Sequence, residues 1–170
     1  KPDLDVRYHR NAIASHSAQT LDAVTVANVE ELKAVLMPMI ETVEVVGIDE
    51  AQFFDASLVS LAHELVRLGR RTILAGLDTT FTGEPFAPIP ELMAIADEVT
   101  KLSAACMQCG ATAIPTQRLG SEPSLVLVGA AGVYEARCRA CFRRWVAEHS
   151  AEQLELPVGA AAEKPSATRG

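Results

Sequence analysis

Two cysteine doublets carry the strongest chemical signal in the chain, Cys106-Met-Gln-Cys109 and Cys138-Arg-Ala-Cys141. Each places two sulfurs on one tight turn with backbone amides nearby. Two such turns supply four thiolates, enough to close a tetrahedral zinc site with no open position for catalysis. Reduced thiols or a redox pair are the alternative, and the equal spacing of the two doublets favours zinc. The gap from Cys109 to Cys138 is longer than in the commonest compact ribbons, so the intervening segment must loop out and return. A second signal lies upstream, where the β-branched run Val45-Val46-Gly47-Ile48 ends in Asp49-Glu50. Nucleotide-binding α/β proteins place ligand groups at such a strand end. An Asp there suits Mg²⁺ coordination, and the adjacent Glu can accept a proton from a substrate hydroxyl. A solvated acidic turn is the competing reading. The next residues, Gln52-Phe53-Phe54, shift the balance, because two aromatics and an amide offer a stacking surface and a hydrogen-bonding edge for a base. Core packing claims at least one of the two phenylalanines.

The elements that must position these groups are readable from punctuation. Asn28-Val-Glu-Glu31 resembles a capping box, and Val29, Leu32, Val35 and Leu36 follow at helical spacing until Pro38 ends or kinks the helix. Val43 to Ile48 reads as a buried strand. Leu58, Leu61, Ala62, Leu65 and Leu68 form a helical stripe that stops before Gly69. Arg71 to Leu77 is the next buried strand, and Pro90 opens a helix with Leu92, Met93, Ile95 and Ala96 on its apolar side. Strand and helix alternating in this rhythm predict an α/β fold with a mainly parallel sheet covered by helices. From about Glu152 the sequence turns to Pro, Ala, Gly and charged residues, the composition of a disordered tail.

At 170 residues with 49% apolar content, the chain is long enough to bury one ordinary core, with room for a small satellite. The net charge of −7 argues against a general nucleic-acid binder, which needs a basic surface to displace counterions. It does not exclude a local nucleotide pocket. No stretch approaches the ~20 consecutive apolar residues of a membrane span. The start, Lys1-Pro2-Asp3-Leu4-Asp5, has no apolar signal region, and all four cysteines fall in the doublets. Metal binding in a reducing cytoplasm is therefore favoured over disulfides. His9, His63 and His149 have no metal-ligand spacing and read as surface residues. Arg118, Arg137, Arg143 and Arg144 read as a solvated basic face, with phosphate contact the alternative.

The run Gly47-Ile-Asp-Glu-Ala-Gln-Phe-Phe54 closely resembles the type II thymidine kinases, the zinc-containing class. So do Ala75-Gly-Leu-Asp-Thr-Thr-Phe81, Pro85-Phe-Ala-Pro-Ile-Pro-Glu-Leu-Met-Ala-Ile-Ala96, Thr116-Gln-Arg-Leu119 and Tyr134-Glu-Ala-Arg-Cys138. The resemblance starts at Lys1, includes Asp5-Val-Arg-Tyr8 and Ser15-His16, and runs to about Cys141. It implies a homotetrameric ATP-dependent kinase for thymidine or deoxyuridine, acting in pyrimidine salvage, with structural zinc, Mg²⁺ brought with ATP, and feedback by thymidine triphosphate. By that resemblance Glu50 is the catalytic base and Asp49 helps hold Mg²⁺. Phe53, Leu77, Phe81 and Phe86 wall the nucleoside pocket. The segment between the cysteine pairs is a lasso closing over the base. Thr116 and Tyr134 then lie beside the thymine ring, and backbone groups around Val128 and Gly129 bond its edge.

Two departures matter. Relatives often carry Phe-Arg-Gly-Lys-Pro-Phe where this chain has Phe81-Thr-Gly-Glu-Pro-Phe86, so Thr82 and Glu84 remove positive charge near the pocket. No G-x-x-x-x-G-K-[ST] run occurs, and the family's phosphate loop lies immediately upstream of the segment where this sequence begins. The expected fold is thus a P-loop-type nucleotide-binding core over residues 1–100, lacking its N-terminal strand and phosphate loop. A zinc-stapled lasso over 101–147 and a disordered tail over 148–170 complete it. The chain as given is expected to be an inactive, aggregation-prone fragment of a longer enzyme. The rival reading is a non-catalytic zinc-containing module that binds a nucleoside or a protein.

Overall fold

The computed structural model describes Pro2 and residues 12–14, 20–119 and 133–142. The chain divides into two compact units, Lys1–Leu102 and Ser103–Gly170. In the first, β1 (Ala12–Ala14) pairs antiparallel with β2 (Thr20–Asp22), and Pro2 bridges to Val26. Helix α1 (Val29–Leu36) begins as the sequence predicts. The Asn28 side chain accepts from the Glu31 amide at 2.8 Å, and the Glu31 carboxylate accepts from the Ala27 amide at 2.7 Å. The cap satisfies the Glu31 amide, one of the donors a helix start leaves orphaned, and the Ala27 amide just ahead of the helix. Pro38 turns the chain into a short 3₁₀ segment, Met37–Met39.

A β–α–β unit follows. Strand β3 (Val45–Ile48) leads through helix α2 (Ser57–Arg67) to β4 (Arg71–Leu74), and the two strands pair in parallel with Val45 opposite Arg71 and Ile48 opposite Leu74. Leu58, Leu61 and Leu65 on α2 are fully buried and pack with Val46, Ile48, Val29 and Leu36. Each such leucine contributes about 1.5–3 kcal/mol by leaving water. Helix α2 stops at a left-handed Gly69 (φ +73°), whose amide, with that of Arg70, closes back on Val66 and Leu65. Helix α3 (Ile89–Ile95) adds Ile89 and Leu92 to the core.

Three expectations change. The strands are shorter than the apolar runs, and only one face is buried: Val45 and Ile73 are half-exposed while Val46 and Ile48 are covered. Leu68 is the C-cap of α2 and stands partly in solvent, since the left-handed turn carries it off the apolar stripe. Ile95 and Ala96 are likewise exposed, because the backbone becomes extended at Ala96 and the helical period ends there.

The second unit contains two hairpins: β5 (Ala104–Ala105) with β6 (Thr112–Ala113), and β7 (Thr116–Arg118) with β8 (Tyr134–Ala136). Among the described residues, then, one strand pair is parallel and three are antiparallel. No described helix is long and apolar enough to cross a membrane.

Candidate functional site

The backbone changes character where β3 ends. Ile48 and Ala51 continue the ladder to β4, the Ile48 carbonyl accepting from the Ala75 amide and the Ala51 amide donating to the Ala75 carbonyl, each at 2.9 Å. Between them the chain bulges outward. Glu50 adopts a left-handed conformation (φ 53°, ψ 43°), the one positive φ on a non-glycine residue among the described residues. A side chain in that region is costly and persists only where its surroundings over-determine it, as they do in functional turns. The Asp49 carboxylate accepts from the Glu50 amide at 2.9 Å, and a 3₁₀ turn, Ala51–Phe53, follows. Both carboxyl residues are half-buried.

The side chain two residues on ties this turn to the neighbouring strand. Gln52 is only 3% exposed. Its Nε2 donates to Glu50 Oε2 at 2.6 Å, and its Oε1 accepts from the Leu77 amide at 3.0 Å. From the sequence, Gln52 is expected to offer an edge to a base; in the structure both ends of its amide are engaged inward. Phe54 lies in the core, whereas Phe53 is half-buried and meets Phe86 edge to face, with ring centroids 6.3 Å apart. The Phe86 amide donates to the Asp78 carbonyl at 3.0 Å, which draws the segment after β4 and the start of α3 together. Phe81 is buried, Phe86 half-buried and Leu77 about half-exposed. Glu84 projects from a tight turn that its own carbonyl closes on the Thr80 amide, at 2.8 Å. Asp49, Glu50, Phe53, Leu77, Phe81 and Phe86 thus all belong to the first unit.

In the second unit the four cysteines converge. Their sulfurs lie within 4.8 Å of one another, with Cys109 Sγ 3.6 Å from Cys138 Sγ and 3.7 Å from Cys141 Sγ. A tetrahedron with metal–sulfur bonds of ~2.3 Å has edges of ~3.8 Å, so the spacing fits zinc. None of the four is in a disulfide. The first doublet wraps through Gly110 (φ +74°), whose amide reaches the Cys106 carbonyl at 2.8 Å; the second opens a helical turn in which the Cys141 amide points at Cys138 Sγ, 3.5 Å away. Amide donors, those of the Cys138 turn foremost, hold the Cys106 thiol down near about 6. The Cys141 amide likewise lowers Cys138. Cys141 is pushed up to about 12, first by its hydrogen bond with Cys138 and then by burial. A divalent cation bound here would bring all four sulfurs to thiolate, because coordination deprotonates a thiol outright.

Hairpin β7–β8 presents Thr116, Arg118, Tyr134 and Ala136 on one face, since Thr116 lies opposite Ala136 and Arg118 opposite Tyr134. Arg118 was expected on a solvated face. It is fully buried, its Nη2 donating to the Tyr134 hydroxyl at 2.7 Å and its guanidinium stacked 5.3 Å from that ring's centroid. Apposition to an aromatic lets a guanidinium be buried where a lysine would not be. Arg137 is paired with Glu135 and donates to the Gln108 side chain at 2.5 Å. His63 is exposed, as expected. Val128, Gly129, His9, His16, Arg143, Arg144, His149 and the tail lie outside the described residues.

A parallel β–α–β frame ending in paired carboxylates, in a chain that also carries a four-cysteine cluster able to hold a metal ion, defines a protein of mixed helix and strand with a candidate metal site. Comparison with known proteins gives the family. Residues 1–142 match the thymidine kinase family model. The chain is 47% identical over 143 residues to a thymidine kinase of Bdellovibrio bacteriovorus, covering 84% of this chain and 69% of that protein. It is 49% identical over 152 residues to a thymidine kinase of Deinococcus deserti, covering 82% of this chain and 75% of the relative. The chain belongs to the thymidine kinase family, and its cysteine cluster fits the zinc-containing type II class.

Proposed function

We propose that this protein transfers the γ-phosphoryl group of ATP to the 5′-hydroxyl of thymidine or deoxyuridine, with Glu50 as the general base. The observation that carries the reading is the left-handed turn at Glu50, a carboxylate held at a strand end by Asp49 and Gln52 in a chain of this family. As the nucleoside oxygen bonds to the γ-phosphorus and the bond to the β,γ-bridging oxygen breaks, Glu50 takes the hydroxyl proton and ADP departs. Phosphoryl transfer asks little covalent chemistry of the protein, so positioning and charge carry the rate. Asp49 would help hold the Mg²⁺ that accompanies ATP, which neutralises phosphate charge when bound. Phe53, Leu77, Phe81 and Phe86 wall an apolar nucleoside pocket with few polar anchors, the form a small neutral ligand needs. By the family resemblance, Thr116 and Tyr134 would lie near the pyrimidine C5 position, and backbone around Val128 and Gly129 would bond the ring edge.

Zinc bound by Cys106, Cys109, Cys138 and Cys141 is structural in this reading, since four protein sulfurs leave no open position. The P-loop-type core, the lasso, homotetrameric assembly and feedback by thymidine triphosphate rest on the family resemblance, and the unpaired thiols fit a reducing, cytoplasmic setting. The test is Glu50→Gln in the enzyme expressed from its complete reading frame. This change keeps the shape and removes the base, so kcat should fall by roughly 10²–10⁴-fold. Thymidine affinity should move far less. Retention of most of the turnover would overturn the assignment of the base, and tight thymidine binding without turnover in the unmodified enzyme would favour a binding module.

A further inference from the structure

We infer that Gln52 is a positioning residue for the reaction, a buried amide clamp that fixes the Glu50 carboxylate relative to the Leu77 segment. The inference rests on the reading of Glu50 as base and goes beyond it. Three independent features of the first unit converge on this side chain. Gln52 is 3% exposed although it is polar, so its hydrogen bonds must be made within the protein. Its two ends have different partners, Glu50 Oε2 at 2.6 Å on the Nε2 side and the Leu77 amide at 3.0 Å on the Oε1 side. The second partner is 25 residues away in sequence and belongs to the segment leaving β4. The clamp therefore spans the pair of strand ends that carry the carboxylate and one wall of the proposed pocket.

The chain also makes room for it. A Cβ at Gly76 would stand 2.6 Å from Gln52 Oε1, 2.8 Å from Ile89 Cδ1 and 3.2 Å from the Ala51 amide nitrogen. Gly76 does not need a left-handed backbone; it is small because the Gln52 amide occupies the space a side chain would take. Finally, Glu50 sits in a backbone conformation with an intrinsic cost, and such a conformation holds only when neighbouring contacts pin it. Gln52 supplies one of those contacts directly to the carboxylate. A general base must lie within hydrogen-bond reach of the proton it removes, and misplacement by about 1 Å can cost about 10²-fold in rate. Gln52 touches neither the reacting oxygen nor the phosphate in this account; it acts through Glu50.

Two substitutions separate the ends of the clamp. Gln52→Glu preserves the size and an oxygen for the Leu77 amide but replaces the donor facing Glu50 with an acceptor. Gln52→Leu removes both bonds. Gly76→Ala presses on the Gln52 amide, and also on Ile89 Cδ1 and the Ala51 backbone, while leaving residues 50 and 52 as they are. In the enzyme from its complete reading frame, Gln52→Glu and Gln52→Leu should each lower kcat by roughly 10–100-fold with a much smaller change in KM for thymidine. Hydrogen exchange at the Leu77 amide should quicken in Gln52→Leu and stay near the unmodified rate in Gln52→Glu. Gly76→Ala should reproduce part of the kcat loss. A Gln52 that only stabilises the fold would lower Tm in the two variants and leave kcat near that of the unmodified enzyme, and that result overturns the inference. Glu50→Gln run alongside distinguishes the two failures. If it stays active, the base assignment falls and the clamp falls with it; if it is inactive while the Gln52 variants turn over normally, only the clamp falls.

Discussion

The two units of the chain are held together by different physics. The first is organised by apolar burial: Leu58, Leu61 and Leu65 of α2 pack with Val29, Leu36, Val46, Ile48 and Leu92, and the Asp49–Glu50 turn hangs from the strand ends of that core. The described residues of the second show little apolar interior: among them the buried cluster is Cys106, Ala113, Cys138 and Cys141 with Ala136 against it, and the four described strands are two or three residues long. Hairpins that short are marginal in water unless something else ties them. The contrast fits a division of labour in which one region draws its stability from side-chain area and the other would draw it from a metal held by the four cysteines.

The largest expected effect is on the second unit alone. Structural zinc sites contribute on the order of 10–16 kcal/mol of apparent binding free energy near neutral pH, nearly all of it folding energy. Protein purified without added zinc should hold one equivalent, and Cys138→Ser should lose it. Chelation should release the exchange protection of the Met107 and Gly110 amides, which bond to Ala136 and Cys106, and leave the Ala51 and Ala75 amides protected. Less than about half an equivalent, unchanged in Cys138→Ser, would sink the structural-zinc reading. Loss of protection in both units together would break the comparison.

The reciprocal experiment is smaller. Leu65→Ala opens a cavity in the fully buried core of the first unit and should cost about 2–5 kcal/mol of that unit's stability. Zinc content should not change. If it drops in step with stability, the two regions fold as one. The smallest effect concerns Thr116, on the hairpin face it shares with Tyr134. Thr116→Met should penalise thymidine relative to deoxyuridine by only about 1–3 kcal/mol, the worth of one methyl in an apolar pocket. An unchanged ratio of the two kcat/KM values would remove this face from C5 recognition.

The four-cysteine cluster was more legible in the sequence than the surroundings of the Asp49–Glu50 turn. Four cysteines at two equal spacings name their own partners, because sulfur chemistry is specific and the geometry is local. The capping box at Asn28 and the stop at Gly69 were legible for the same reason, each being settled within a few residues. What escaped depends on distant neighbours or on where a period stops. Gln52 joins residues on two strand ends, and nothing near it in sequence points to the Leu77 amide. Arg118 is buried with its guanidinium against Tyr134 across the hairpin, a contact that its own stretch of sequence does not reveal. Apolar periodicity identified α2 and α3 but extended both by a residue too many, at Leu68 and at Ala96, since a stripe of apolar residues does not register the backbone leaving the helix.

The left-handed backbone at Glu50 has a consequence for any attempt to harden this protein. A non-glycine residue held there costs on the order of 1–3 kcal/mol. Glycine accepts the same conformation at no steric penalty and asparagine at little. Relieving that strain by Glu50→Gly or Glu50→Asn would also take the carboxylate away from the buried Gln52 Nε2, and a buried donor left unsatisfied costs about 1–3 kcal/mol, so the two effects offset each other. Hardening this chain through position 50 is therefore expected to gain little, because the contact the side chain makes and the strain its backbone carries are of similar size.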